Sequence, residues 1–316
     1  MQEFKSKIKQ LLSDAVRRCD SDCIALSGGL DSSILASCLD NKKVRAFTVI
    51  TKDFPSRDLV YAQLVAKITG LSLAVISVNI DDLLSAIEKT IKILKVFNPM
   101  EIRNNVVVYL VMESAMKDGY KSMMTGDGAD ELFAGYNFFK RLAKKELEKD
   151  LERIWSVMHF PSISIAKSLG MSLHTPFLDK GISEYAKKIP SDLKVKEEGG
   201  AKYGKWILRK AFEDILPSSI VWREKSAMQD GSGTNGLTLF LDNLIADSSF
   251  SEKSKLYIEK EKIRLLSKES LFYYEIYRKY YDIPFNLGKS ETKCPYCNFD
   301  VNVDSHFCRM CGSYPI

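Results

Sequence analysis

The chain has 316 residues, of which 45% are hydrophobic and 28% charged, and a net charge of +5. That length suits two domains with a sizeable core, and the balance is that of a globular protein rather than a fibrous or disordered one. No apolar run reaches the roughly 18 residues that a membrane helix needs and the start of the chain lacks a signal-peptide pattern, so a cytoplasmic protein with no membrane partner is expected; the mild positive charge permits nucleotides or RNA without requiring them.

Apolar residues at Phe4, Ile8, Leu11, Leu12 and Ala15 recur on a helical period, which predicts a helix over Phe4–Arg18. The run Cys23–Leu26 then reads as a buried parallel strand feeding into Ser27, Gly28, Gly29, Leu30, Asp31, Ser32 and Ser33. A helix from Ser32 to Leu39 follows, opened by Asp31 and Ser32 as caps. Two glycines at a strand-to-helix turn let the backbone approach a ligand and aim N–H groups at it. The helix N-terminus adds partial positive charge, so the turn is a cradle for phosphate or pyrophosphate. The G-x-x-x-x-G-K-[ST] pattern of a Walker loop is absent. Asp31 stands there instead, and a carboxylate beside phosphate calls for a divalent cation, Mg2+, between them.

Further along, Val44–Ile50 reads as a second strand, Asp58–Thr69 as a helix stopped by Gly70, and Leu73–Val78 as a third strand. A helix over Asp82–Phe97 capped by Asp81, another over Ile102–Lys117 stopped by Gly119, and a fourth strand over Tyr120–Thr125 complete the pattern. Strands alternating with helices imply an α/β fold with a doubly wound parallel sheet, whose ligands bind beyond the carboxyl ends of the strands. The fourth strand ends in Thr125, Gly126, Asp127, Gly128, Ala129, Asp130 and Glu131, a second glycine-rich turn. If that strand lies beside the first, both turns meet at one crevice and Asp31 and Asp130 share the Mg2+.

From Asn137 regular strands are not expected to return, and helices dominate to about Pro284. Lys140–Arg153 is a solvated charge run, and Thr175–Asp179 is a turn with a buried anchor. Arg223 and Lys225 lead into a polar, glycine-rich loop containing Gln229, Asp230, Gly231, Ser232 and Gly233, a combination suited to polyphosphate. Lys253–Phe285, rich in Lys and Tyr, reads as a closing helix with aromatic anchors in preference to a stacking surface for nucleic acid. Of seven cysteines, Cys19, Cys23 and Cys38 are scattered and expected to be reduced. Cys294, Cys297, Cys308 and Cys311 form two CxxC knuckles with the spacing of a structural, four-thiolate zinc site.

These residues resemble the synthetase domain of the asparagine synthetase family, which includes β-lactam synthetase, from about residue 8 to residue 285. The resemblance is carried by Ser27–Ser33, Gly126–Tyr136, Pro176–Asp179, Lys205–Arg209 and Trp222–Gly233. It implies an adenine nucleotide alpha hydrolase-like sheet followed by helices. It also implies a two-step reaction in which a carboxylate attacks the α-phosphate of ATP, pyrophosphate leaves, and an amine displaces AMP to give an amide. Carried over by position, Leu26 and Ser27–Ser33 hold the pyrophosphate end, Thr125 and Gly126 lie against the nucleotide, and Asp230 and Gly231 belong to the same cofactor site. Asp31 and Asp130 bind Mg2+, Lys225 stabilises phosphate charge, Asp127 is the candidate general base and Arg103 faces the reacting phosphate.

Departures from the family stand beside the matches. Gln2 follows Met1 where a glutaminase domain would expose a cysteine, so nitrogen is expected from free ammonia, another amine or a separate glutaminase subunit. Met100 and Glu101 replace a threonine pair, and Ser172 and His174 replace a glutamate and an arginine, which bears on whether aspartate is the carboxylate. The expected organisation is a nucleotide-binding α/β domain over 1–137, a helical part of the synthetase domain over 138–288, and a zinc ribbon over 289–316. The expected function is an ATP-dependent amide-forming ligase. A tRNA-modifying enzyme of the thiolase type is the alternative, because such enzymes also pair an S-G-G-x-D-S loop with zinc knuckles. A nucleotide-sensing scaffold without catalysis is disfavoured by Asp31, Asp130 and Lys225.

Overall fold

The computed structural model describes residues 1–40, 43–224, 228–288, 290–303 and 305–316. Its first half alternates as the pattern predicts: α1 (Gln2–Arg17), β1 (Cys23–Ala25), α2 (Leu30–Ser37), β2 (Arg45–Thr51), α3 (Asp58–Thr69), β3 (Leu73–Val78), α4 (Ile80–Leu94), α5 (Pro99–Lys117), β4 (Ser122–Met124) and α6 (Ala129–Leu132). There follow α7 (Lys144–Val157), α8 (Pro161–Leu169), β5 (Ser172–His174), α9 (Lys180–Lys188), α10 (Ser191–Lys194), β6 (Lys196–Glu198), β7 (Ala201–Tyr203), α11 (Trp206–Phe212) and α12 (Ser218–Val221). The last helices are α13 (Met228–Ser232), α14 (Gly236–Leu244), α15 (Asp247–Glu261), α16 (Lys268–Arg278) and α17 (Pro284–Leu287).

Five strands form one sheet in the order β3-β2-β1-β4-β5, which is the doubly wound parallel arrangement. Strand β1 runs parallel to both β2 and β4, and β4 runs parallel to β5. Strand β1 is central in the sheet, and helices cover the sheet's faces, so its residues Cys23 and Ile24 are fully buried. Strand β5, together with β6 and β7, which pair antiparallel as a separate two-stranded sheet, corrects the expectation that strands do not return after Asn137; β5 is the one that joins the main sheet. At three residues, with only Leu173 and His174 partly covered, it is too short and too polar for periodicity to mark it.

The chain forms two compact units that interleave in sequence: 1–50, 56–76 and 111–227 in the first, and 51–55, 77–110 and 228–316 in the second. In the first, a continuous apolar core links Ile8 and Leu12 of α1, Ile24 of β1, Ile34 and Leu35 of α2, Val65 of α3, and Trp206, Ile207 and Leu208 of α11. In the second, α4 and α16 pack together, and Tyr273, Tyr274 and Tyr277 of α16 are buried with Phe97. Those three rings are therefore core anchors and present no base-stacking surface.

Local caps explain where helices begin. Helix α4 starts two residues earlier than predicted because Asn79, not Asp81, is its cap: Asn79 Oδ1 accepts from the Asp82 N–H at 2.9 Å and Asp82 Oδ2 accepts from the Asn79 N–H at 3.0 Å. Helix α2 likewise starts early. Gly29 is its cap, so Asp31 and Ser32 lie inside the first turn rather than ahead of it.

Candidate active site

Both glycine-rich turns leave the carboxyl ends of adjacent strands, β1 and β4, and they touch. A Cβ on Gly126 would lie 3.0 Å from Asp31 Cβ, so a side chain there would press the second turn away from the first by a few tenths of an ångström. Gly28 has φ +72°, and a Cβ there would fall 2.4 Å from Ala62 N and 2.5 Å from Tyr61 Cβ in α3. Gly28 is thus needed to seat the first turn on α3, while Gly29 at the helix start has only Ser27 Oγ nearby, at 3.3 Å. The hydroxyls of Ser32 and Ser33 fold back onto Gly29 O at 3.2 and 2.7 Å, and Ser27 Oγ accepts from the Gly29 N–H at 3.2 Å. Leu26, 1% exposed, anchors the turn by donating its N–H to Phe47 O at 2.8 Å.

Asp31 and Asp130 converge on one cation supplied by the chain. Lys205 Nζ lies 2.6 Å from Asp31 Oδ2 and 2.7 Å from Asp130 Oδ1, with its own side chain 6% exposed. Burial opposes the ammonium, but the two aspartates outweigh it and hold its pKa above the usual lysine value. Lys205 reaches this position from a left-handed backbone, φ +54°, just ahead of α11. Room for its stem comes from Gly135, where a Cβ would lie 2.2 Å from Lys205 Cε and 1.9 Å from Asp130 Oδ1.

Asp127 lies beside this pair and is pinned through one oxygen. Ser162 Oγ donates to Asp127 Oδ2 at 2.6 Å and Thr125 Oγ1 donates to the same oxygen at 2.9 Å. Burial pushes its carboxyl pKa up, the two hydroxyls pull it back, and the charge of Asp130 adds to the rise. That environment makes Asp127 a stronger base than an exposed aspartate. Glu131, whose pKa burial also raises, accepts a hydrogen bond from Tyr136 OH, and its carbonyl accepts from Trp155 Nε1 at 2.9 Å. Leu178 of the Pro176–Asp179 turn backs Gly128, where a Cβ would come within 2.3 Å of Leu178 Cδ2.

Of the segment ahead of Lys225, Arg223 is committed to Asp58 at 2.9 Å and stacks over the Tyr61 ring at 3.7 Å, so it is a tether and not a free phosphate ligand. Arg209, buried, holds the same segment by donating to Val221 O and, at 3.0 Å, to Arg223 O. Lys225 itself lies outside the described residues.

The family model for asparagine synthase matches residues 7–156 and 144–284. The chain belongs to the asparagine synthase family. It is 30% identical over 309 residues to asparagine synthetase B [glutamine-hydrolyzing] of Escherichia coli (strain K12), covering 89% of this chain and 54% of that protein. It is similarly 30% identical over 307 residues to the Gallus gallus asparagine synthetase [glutamine-hydrolyzing], with coverage of 89% and 53%. To asparagine synthetase [glutamine-hydrolyzing] 2 of Oryza sativa subsp. japonica it is 28% identical, with coverage of 88% and 49%. The chain spans about half the length of the curated relatives it matches.

The second unit of this asparagine synthase-family chain holds the other residues singled out. Arg103 donates from Nε to Gln229 Oε1 at 2.8 Å and from Nη1 to Thr238 Oγ1 at 3.0 Å, and it pairs with Glu269, a side chain only 3% exposed. Asp230 and Gly231 lie in α13, which replaces the loop expected over Gln229–Ser232. Gly233, at φ +92°, ends that turn against Thr51, whose Oγ1 a Cβ would meet at 2.4 Å. Cys294, Cys297, Cys308 and Cys311 cluster with all four sulfurs within 4.8 Å of one another. None is in a disulfide, and the Sγ separations of 3.7 Å for Cys294 and Cys311 and 3.6 Å for Cys297 and Cys308 match the edge of about 3.8 Å expected of a tetrahedron with zinc–sulfur bonds of about 2.3 Å.

Sequence reasoning missed Lys205 as a site residue, although it stands in a family motif, and missed Ser162, Glu131 and Arg209. Two acids in one crevice are themselves a signal that a cation must be near. Which lysine supplies it depends on a contact across 174 residues of sequence.

Proposed function

We propose that this chain is an ATP-dependent amide-forming ligase that adenylates a small carboxylate, releases pyrophosphate, and passes the acyl group to ammonia or an amine. The observation that carries this reading is the convergence of Asp31 and Asp130, from two separate strand-end turns, on a single cationic point. Hard carboxylate oxygens aimed at one place fit Mg2+, which when bound supplies charge neutralisation between the acids and the phosphates. The N–H groups of the Ser27–Ser33 turn orient the pyrophosphate end, and Thr125 and Gly126 border the nucleotide. Lys205 keeps the two turns in register, Asp127 accepts the proton of the attacking amine, and Lys225 offsets phosphate charge. The four thiolates fit zinc with no open position, which makes that site structural. Aspartate is the first carboxylate to test and ammonium the first nitrogen donor, with a glutaminase acting in trans as a further source.

A pyrophosphate-release screen over carboxylates and amines, with ammonium, aspartate and bulk tRNA included, tests this reading. Release that needs ATP and a carboxylate, and that falls by about 10²- to 10³-fold in Asp31→Ala and Lys225→Ala, is the expected result. Normal release in either variant overturns the mechanism. Release that needs tRNA and no carboxylate replaces it with the RNA-modifying alternative.

A further inference from the structure

The cysteine module does more than fold itself, because each of its two knuckles grips one of the two segments that hold Arg103. The second knuckle holds the start of α5. Phe97 N–H donates to Met310 O at 2.9 Å, and Arg309 Nη2 lies 3.0 Å from Glu101 Oε1, a side chain 12% exposed. Gly312, at φ +81°, abuts Asn98, where a Cβ would lie 2.5 Å from Oδ1. Asn98 Oδ1 in turn caps α5, accepting from the N–H groups of Met100 at 3.1 Å and Glu101 at 3.3 Å.

The first knuckle holds the approach to α16. Arg264 N–H donates to Tyr296 O at 2.7 Å, and Asn298 Nδ2 donates to Lys262 O at 2.7 Å. Asn98 precedes Arg103 by five positions, and Arg264 precedes Glu269 by five. Arg103 therefore sits a little over one helical turn beyond its gripped point, and Glu269, in the first turn of α16, lies five residues of mostly non-helical chain beyond the other. What joins the grips is the sulfur cluster, since Cys294 and Cys297 belong to one knuckle and Cys308 and Cys311 to the other.

We propose that zinc bound by these four cysteines is a clamp that sets α5 against α16, so that metal occupancy fixes the Arg103 guanidinium in its Glu269, Gln229 and Thr238 cradle. This rests on the reading of the cluster as a zinc site. Loss of zinc separates the knuckles, frees the first turn of α5 and the residues ahead of Glu269, and leaves the first unit untouched.

The test uses the full chain, with zinc content measured by elemental analysis and amide hydrogen exchange followed at 97–105, 262–271 and, as a control, 122–134. Stripping zinc with a thiol-reactive mercurial and a chelator is expected to speed exchange in the first two segments by about tenfold or more and to leave the third unchanged. The milder variants Arg309→Ala and Gly312→Ala should keep one zinc per chain yet speed exchange at 97–105. Unchanged exchange at 97–105 and 262–271 on metal removal, or a chain that takes up no zinc, overturns the clamp. Failure of pyrophosphate release with the exchange pattern as expected overturns the proposed activity and leaves the clamp standing.

Discussion

The crevice of Asp31 and Asp130 and the cluster of four cysteines both gather like charges, and they are neutralised from different sources. In the crevice the chain supplies the cation itself: Lys205 lies within 2.7 Å of both carboxylates. In the cysteine cluster the four sulfurs face one another within 4.8 Å, and the charge that holds four thiolates together has to come from solution. The difference teaches that acids neutralised by a lysine of the same chain can be folded without any outside ion, whereas four thiolates, on the proposed zinc reading, are assembled by the ion they bind.

Metal removal gives the largest contrast. Stripping zinc should abolish the fold of the 290s-to-C-terminal knuckles, a loss on the scale of 10 to 16 kcal/mol of apparent binding energy, while far-ultraviolet dichroism and proteolysis of the sheet unit stay unchanged. Removal of Mg2+ alone should move neither. A sheet unit that melts with the zinc would break the comparison.

Next in size, Lys205→Met removes the internal cation and leaves two largely covered carboxylates facing each other, at a cost of about 3 kcal/mol in denaturant unfolding. It should also convert the crevice into the other kind of site, so that millimolar Mg2+ raises the Tm of this variant more than that of the parent chain. Equal Mg2+ shifts in the two proteins would show that Lys205 does not hold the place between the two carboxylates that the ion would take.

Lys194 sharpens the point, because it is a buried lysine, 1% exposed, set over the Trp155 ring at 4.5 Å with no carboxylate as its main perturbation. Burial pushes its pKa down to about 7, the opposite direction from Lys205. Below about pH 7 the folded chain bears the full cost of the buried ammonium; between there and the ordinary value of 10.5 only the unfolded chain keeps the proton, so stability rises with pH. Lys194→Met should therefore stabilise by about 2 kcal/mol near pH 6, and the gain should fade as pH approaches the ordinary lysine value.

The smallest stability effect belongs to Asp127, a buried acid answered only by hydroxyls. Its raised pKa means that stability falls as pH rises from the ordinary aspartate value of 3.8 through the elevated one, and the loss is complete above it. Asp127→Asn should gain about 1 kcal/mol at pH 7 and nothing near pH 3, while lowering amide formation by about 10²-fold or more. Thermal melts at the two pH values and a direct assay of the amide product check both halves.

Legibility in the sequence followed the range of the interaction. Helix α3 and strand β3 end where local signals put them, with Gly70 at φ +72° closing α3. The CxxC pairs are legible because each knuckle is four residues long. The two acid turns were legible as turns, and their meeting was an inference from the order of strands. Strand β5, helix α13 and the role of Lys205 were not legible: each depends on partners far along the chain, and no periodicity spans such distances. The interleaving of the two units is invisible for the same reason, since a linear reading divides a chain only into contiguous pieces.

Gly135 carries a consequence of its own. It bears no functional group, yet an added methyl there would collide with both Asp130 and the stem of Lys205. In a saturation mutagenesis library its tolerance profile should look like that of a catalytic aspartate. A survey that ranks positions by chemistry alone would overlook a position whose contribution is vacant volume.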